Sequence, residues 1–166
     1  MNDVSIISQF SSEFEAEIPA TRKCIERISE GFFTWKPHEK SMNMGYLALL
    51  VAEIPKWIAT MIKIGEIDFQ TFQHPEPKTT NEMVSYLEDN INDARQAFKE
   101  LTVDQLSKSF VLRNGSQIFI DSPLVENLSS TINHWVHHRG QLTVYMRLNN
   151  ISVPSIYGPS ADERGF

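Results

Sequence analysis

The stretch NHWVHHRGQ, residues 133 to 141, gathers three of the five histidines in this chain together with an arginine and a glutamine. A helix turns by about 100° per residue, so His134 and His138, at i and i+4, share a face, while His137 points about 60° away from them. Paired imidazoles at this spacing can present two nitrogens to one divalent ion, zinc or nickel. Gln141 can orient a bound water or one of the imidazoles from behind. Arg139 is offset from the pair and is expected to meet a carboxylate elsewhere. The glutamate that follows the first histidine of an HExxH zinc-peptidase helix is absent, because Trp135 stands there, which argues against that chemistry.

The segment that carries these residues must be a long helix. Asn127, Thr131, His134, His138, Gln141 and Tyr145 fall within an arc of roughly 80° and form a polar stripe. Beside it Leu124, Leu128, Trp135, Leu142 and Met146 make an apolar arc, and Ser129, Asn133, Gly140 and Arg147 gather on the far side, where solvent is expected. A polar stripe next to a buried arc calls for hydrogen-bond partners, a wet cleft or an ion. Ser122-Pro123 is expected to open this helix, with Pro in the first turn, where its missing N–H costs least. The helix should end near Asn149 or Asn150, ahead of an irregular tail rich in Pro and Gly.

Three more helices are legible upstream. Phe10, Phe14, Ile18, Thr21, Ile25 and Ile28 recur at steps of three and four from Ile7, with Pro19 expected to kink the helix. Ser41 or Asn43 can cap a second helix bearing Met44, Leu47, Leu50, Val51, Ile54, Ile58 and Met61, which Pro55 should bend. Thr79 and Glu82 fit a capping box ahead of Val84, Leu87, Ile91, Ala94, Phe98 and Leu101. Between the second and third helices, QHPEPKTTNE reads as a connecting loop. SFVLRNGSQIFID, with Asn114-Gly115 at its centre, predicts a hairpin with a type I′ turn. The economical architecture is all-α: a four-helix bundle with a short β-hairpin inserted before the last helix, residues 1–166 forming one domain.

Composition narrows the function. The net charge of −6, spread along 166 residues, repels phosphate backbones, so no nucleic-acid partner is expected. Cys24 is the only cysteine, which excludes an intramolecular disulfide and a cysteine metal cluster and is compatible with a reducing cytoplasm. No leader pattern and no run of ~18 uninterrupted apolar residues is present, so no membrane partner is expected. Cys24 is expected to be a buried, inert thiol, and Trp35, Trp57 and Trp135 to be packing groups.

The block NHWVHHRGQLTVYMRLNNISVPSIYGPSADE resembles the C-terminal signature of the DinB/YfiT-like family. WKPHEKSM, GYLALLVAEIP and LRNGSQIFIDSP extend the resemblance over most of the chain. It implies a four-helix bundle, often a homodimer, in which three histidines hold one divalent metal, one from the second helix and two from an H-x-x-x-H pair matching His134 and His138. It also implies a small-molecule substrate, with transfer of low-molecular-weight thiols among the known activities, so a metal-dependent transferase or hydrolase is one reading. The second-helix histidine aligns with Leu50, which cannot coordinate anything. Metal binding is therefore expected to be weak or absent, unless Glu53, Tyr46, His38 or His74 replaces the missing ligand. The alternative is a non-catalytic binding or structural dimer that kept the fold without tight metal binding.

Overall fold

In the computed structural model the described residues are 3–165. Met1, Asn2 and Phe166, the ends of the expected domain, lie outside them. The chain forms α1 (Asp3–Glu26), α2 (Met44–Lys63), α3 (Thr80–Glu100), a single-turn α4 (Val103–Leu106) and α5 (Leu124–Leu148). The four long helices are those expected, and their apolar faces close on one continuous core that includes Phe14, Ile25, Leu47, Ile58, Leu87 and Trp135. The first helix starts a turn ahead of Ile7 and runs through Pro19 without a break.

Local chemistry sets the helix ends. The Asn43 side chain accepts from the Tyr46 amide at 2.7 Å and caps α2. Next to it the Gly45 amide donates to the Phe33 carbonyl at 2.9 Å. A Cβ at position 45 would come within 2.8 Å of the Phe33 side chain, so glycine is what lets the preceding loop lie against the helix. Both halves of the Thr79–Glu82 capping box are formed at the start of α3. The fourth long helix ends in a Schellman motif: Asn150 takes the left-handed conformation with φ 58°, and the amides of Asn150 and Ile151 donate to the carbonyls of Arg147 and Met146 at 3.2 and 2.9 Å.

Pro55 leaves α2 unbroken but has no N–H for the carbonyl of Val51, and two carbonyls in its vicinity accept from other helices. The Val51 carbonyl, four residues earlier, accepts from the Trp135 indole N–H on α5 at 2.7 Å. The Ala52 carbonyl accepts from the Asn90 side chain on α3 at 2.9 Å. The helix bearing Glu53 is thereby tied to both of its large neighbours within a turn of that residue. By length and composition α2 also passes for a membrane span, with mean hydropathy 1.3, but 67% of that window is buried inside the bundle, as in a core helix.

The expected hairpin is present as β2 (Ser109–Asn114) and β3 (Gln117–Pro123), but three features differ from the sequence reading. A short strand, β1 (Glu66–Asp68), pairs in parallel with β2, making a three-stranded sheet in the order β1-β2-β3. The two-residue turn is Gly115-Ser116, between the paired Asn114 and Gln117. Of these only Gly115 has positive φ, 60°, which is the pattern of a type II′ turn rather than type I′. Finally, Pro123 sits at the N-cap of α5, not in its first turn, because its extended backbone keeps it paired with Ser109 at the end of β3.

Residues 151–165 follow α5 as irregular chain strapped across the bundle. Asp162 pairs with Arg147 at 2.5 Å and accepts from the Val153 amide. Glu163 pairs with Arg27 and Lys23 and accepts from the Ser155 amide.

Candidate functional site

His134 and His138 lie on one face of α5 as expected, yet their Nε2 atoms stand 2.6 Å apart and hydrogen-bond to each other. His138 Nδ1–H donates to Gln141 Oε1 at 2.7 Å. That bond leaves the lone pair on His138 Nε2, so the His134 Nε2–H is the donor between the two rings. Both imidazoles are held below the usual histidine range. For His134 the causes are burial and then the neighbouring His138 and His137; for His138 burial dominates, partly opposed by Gln141. Both rings are therefore neutral at neutral pH. His137 is exposed and makes no hydrogen bond to the pair, although its ring stands edge-on to that of His138 with centroids 5.0 Å apart.

A zinc ion bonded to both rings at ~2.0–2.1 Å in a tetrahedral site would hold their nitrogens roughly 3.3 Å apart. The two nitrogens here are closer than that and face one another. Leu50 lines the cavity beside His134, where the resemblance calls for a third imidazole. Among the described residues no group of three His, Cys, Asp or Glu side chains is arranged to hold an ion. The residues present do not fit the three-histidine centre.

The cavity itself, about 320 Å³, opens between α2, the loop after β1 and α5. Leu49, Leu50, Trp57 and Phe69 make most of its wall apolar, and Glu53, His74 and His134 supply the polar groups. Glu53 is 1% exposed. One of its carboxylate oxygens accepts from His74 Nδ1–H at 2.8 Å and the other from the Tyr86 hydroxyl at 2.9 Å. Burial, then the hydrogen bond to Glu53, pushes the Tyr86 phenol upward. His74 reaches this carboxylate from the proline-bounded loop, with its ring against Phe72 and its side chain 46% exposed.

A second cavity of about 270 Å³ adjoins the first, between the sheet, α2 and α5, and shares Trp57, Phe69 and His134 with it. The Trp57 ring packs 5.6 Å from that of His134. Its indole N–H is buried with no acceptor, a state that costs about 1–3 kcal/mol.

Of the four candidates to replace the missing ligand, the structure brings Glu53, His74 and Tyr46 to the His134 cavity and leaves His38 elsewhere. His38 stays in the loop before α2, where its Nδ1 accepts from the Lys40 amide. Glu53 and His74 are engaged with each other, and among the described residues no hydrogen bond joins either to the histidine pair. Arg139 meets its carboxylate, but away from the site: it is 2% exposed and pairs with Glu17 on α1 at 2.5 Å. It also donates to the Thr21 hydroxyl and to Tyr157 of the tail. Cys24 is fully buried, and burial pushes its thiol up to about 11, the inert thiol expected.

The pairing of His74 with Glu53 is the functional feature that sequence patterning did not reveal. A signal did exist: Glu53 interrupts the apolar run LLVAEIP at a position facing the core, and a buried carboxylate needs partners. Which residue of the distant loop would supply one is set only by the fold.

The family model described as DinB family matches residues 1–164. Among curated proteins the chain is 27% identical over 161 residues to the uncharacterized protein YrdA of Bacillus subtilis (strain 168), covering 95% of this chain and 91% of that one. It is 24% identical over 140 residues to the uncharacterized protein YjoA of the same organism, covering 84% and 88%. Two crystal structures of DinB-like proteins share the fold. YjoA itself has a TM-score of 0.71 at 21% identity, covering 95% of this chain and 99% of that one. A protein from Bacillus cereus has a TM-score of 0.69 at 21% identity, covering 89% and 95%.

Proposed function

The chain belongs to the DinB family, and within that fold we propose that it binds a small, largely apolar molecule in the cavity between α2 and α5, with His134 and His138 serving as a neutral imidazole pair rather than as part of a tight metal centre. The observation that carries this reading is the mutual hydrogen bond of the two Nε2 atoms at 2.6 Å, with Leu50 in the wall beside them. Apolar walls with a few placed polar groups are the usual make-up of small-molecule sites. The unpartnered N–H of Trp57 adds a donor that a ligand oxygen can satisfy if the side chains around it yield.

A divalent ion, zinc or nickel, would find two protein ligands here and water for the rest, which supports only weak binding. The metal-dependent thiol transferase suggested by the resemblance needs a third ligand, and the two carboxylate oxygens of Glu53 are already bound by His74 and Tyr86.

Elemental analysis of protein purified without chelator tests this reading. The wild type is expected to carry far less than one zinc or nickel per chain, and Leu50→His to approach one. A full equivalent in the wild type that is lost in His134→Ala/His138→Ala would overturn it.

A further inference from the structure

Beside the histidine pair, the same cavity holds a second arrangement with the parts of an acid–base site. Glu53 is buried and fixed at both oxygens, and its bond from His74 Nδ1–H, at 2.8 Å, sets the tautomer of that ring. The lone pair of His74 is therefore on Nε2, which has no hydrogen-bond partner among the described residues. Since half of the His74 side chain is exposed and the residue lines the cavity, this nitrogen is open to a bound molecule or to water. An imidazole with a bare Nε2, backed by a buried carboxylate at Nδ1, is the arrangement that general-base catalysis requires. The carboxylate holds the ring in place and stabilises the imidazolium that forms when Nε2 takes a proton.

We propose that His74, positioned by Glu53, is a metal-independent general base that activates water against a small ester held in the cavity. The proposal rests on the small-molecule reading above. Water addition to an ester is the reaction such a base supports with no further reagent. His74 Nε2 takes one proton from water as the water oxygen bonds to the carbonyl carbon. The bond from that carbon to the ester oxygen then breaks, and the imidazolium returns its proton to the departing alkoxide or phenoxide, leaving acid and alcohol. The apolar walls around Leu49, Leu50 and Trp57 take the body of the ester. His74 is the catalytic residue and Glu53 a positioning residue.

The test follows hydrolysis of p-nitrophenyl acetate in EDTA at neutral pH. In parallel, NMR follows binding of 4-nitrophenylacetone, in which CH₂ replaces the ester oxygen. The wild type is expected to exceed His74→Gln by about a hundredfold or more in kcat, the lower end of general-base contributions, with KM and ketone binding unchanged. Glu53→Gln should lower kcat without changing KM, a split that a purely structural role for the pair would not produce. The ¹⁵N spectrum of the wild type should show His74 protonated at Nδ1 and bare at Nε2. Should Glu53→Gln fail to fold, the half-exposed His74→Gln variant and the ¹⁵N signature carry the test alone. Equal rates in wild type and His74→Gln, or ketone binding with no hydrolysis above buffer, overturn the general base while leaving the binding cavity intact. Neither binding nor hydrolysis overturns both.

Discussion

The Trp135 indole N–H donates to the Val51 carbonyl across the α2–α5 contact at 2.7 Å, taking the acceptor that Pro55, four residues along α2, has no N–H to fill. This bond locks the helix of Glu53 and Leu50 to the helix of His134 and His138, so the site's two halves share one register. Trp135→Phe should lower stability by about 1–3 kcal/mol through the orphaned buried carbonyl, with lost ring area adding to it. Urea unfolding measures this. In a Pro55→Ala background the backbone amide at 55 can reclaim the carbonyl, so the same substitution should cost less. Equal costs in the two backgrounds would show that the bond does not carry the contact.

Arg139 is a part of the signature stretch that works on structure rather than on the cavity. It is 2% exposed and joins Glu17, Thr21 and Tyr157, uniting α1, α5 and the C-terminal tail. Removing one partner of such a buried pair strands the other charge, so Arg139→Met should cost about 3–5 kcal/mol. Thermal or urea denaturation reads the loss. Glu17→Gln in the Arg139→Met background should recover part of it, since no lone carboxylate then remains.

The histidine pair makes a signed prediction about pH. Both rings titrate below the ordinary histidine value of 6.5 in the folded chain, because burial disfavours their charged forms. Below about pH 6.5 the unfolded chain therefore binds more protons than the folded one, and stability falls as the pH drops toward the folded-state values. Above that window the two states are equally neutral at these sites and no penalty applies. Chelator-treated wild type should lose stability between pH 6.5 and 5 more steeply than His134→Ala/His138→Ala. Parallel profiles for the two proteins would contradict the assignment of that slope to the pair.

The four long helices were legible because each carries a 3.6-residue apolar period and, for α2 and α3, a side-chain cap that the structure forms; the single turn of α4, four residues long, is too short to show one. Helical geometry alone also separated His137 from His134 and His138. What escaped the sequence depends on contacts between distant segments. The strand β1 is three residues long and exists by pairing with β2, so it leaves no periodic trace. Asn114-Gly115 suggested the commonest hairpin turn, but the register of the two strands moved the turn one residue on, to Gly115-Ser116. Leu50 could be placed opposite the histidine pair by the family pattern. The union of Glu53 with His74, 21 residues away, required the fold of the proline-bounded loop.

On the reading proposed above, His134 and His138 are an imidazole pair, short of the third ligand that would make them a metal centre. Calorimetric titration of zinc into metal-free wild type and Leu50→His tests it most directly. The wild type should bind more weakly than about 1 μM, about 8 kcal/mol, below the ~10–16 kcal/mol of structural zinc sites. Leu50→His should bind at least tenfold more tightly. Stoichiometric binding to the wild type in the nanomolar range, abolished in His134→Ala/His138→Ala, would make the pair a metal centre after all.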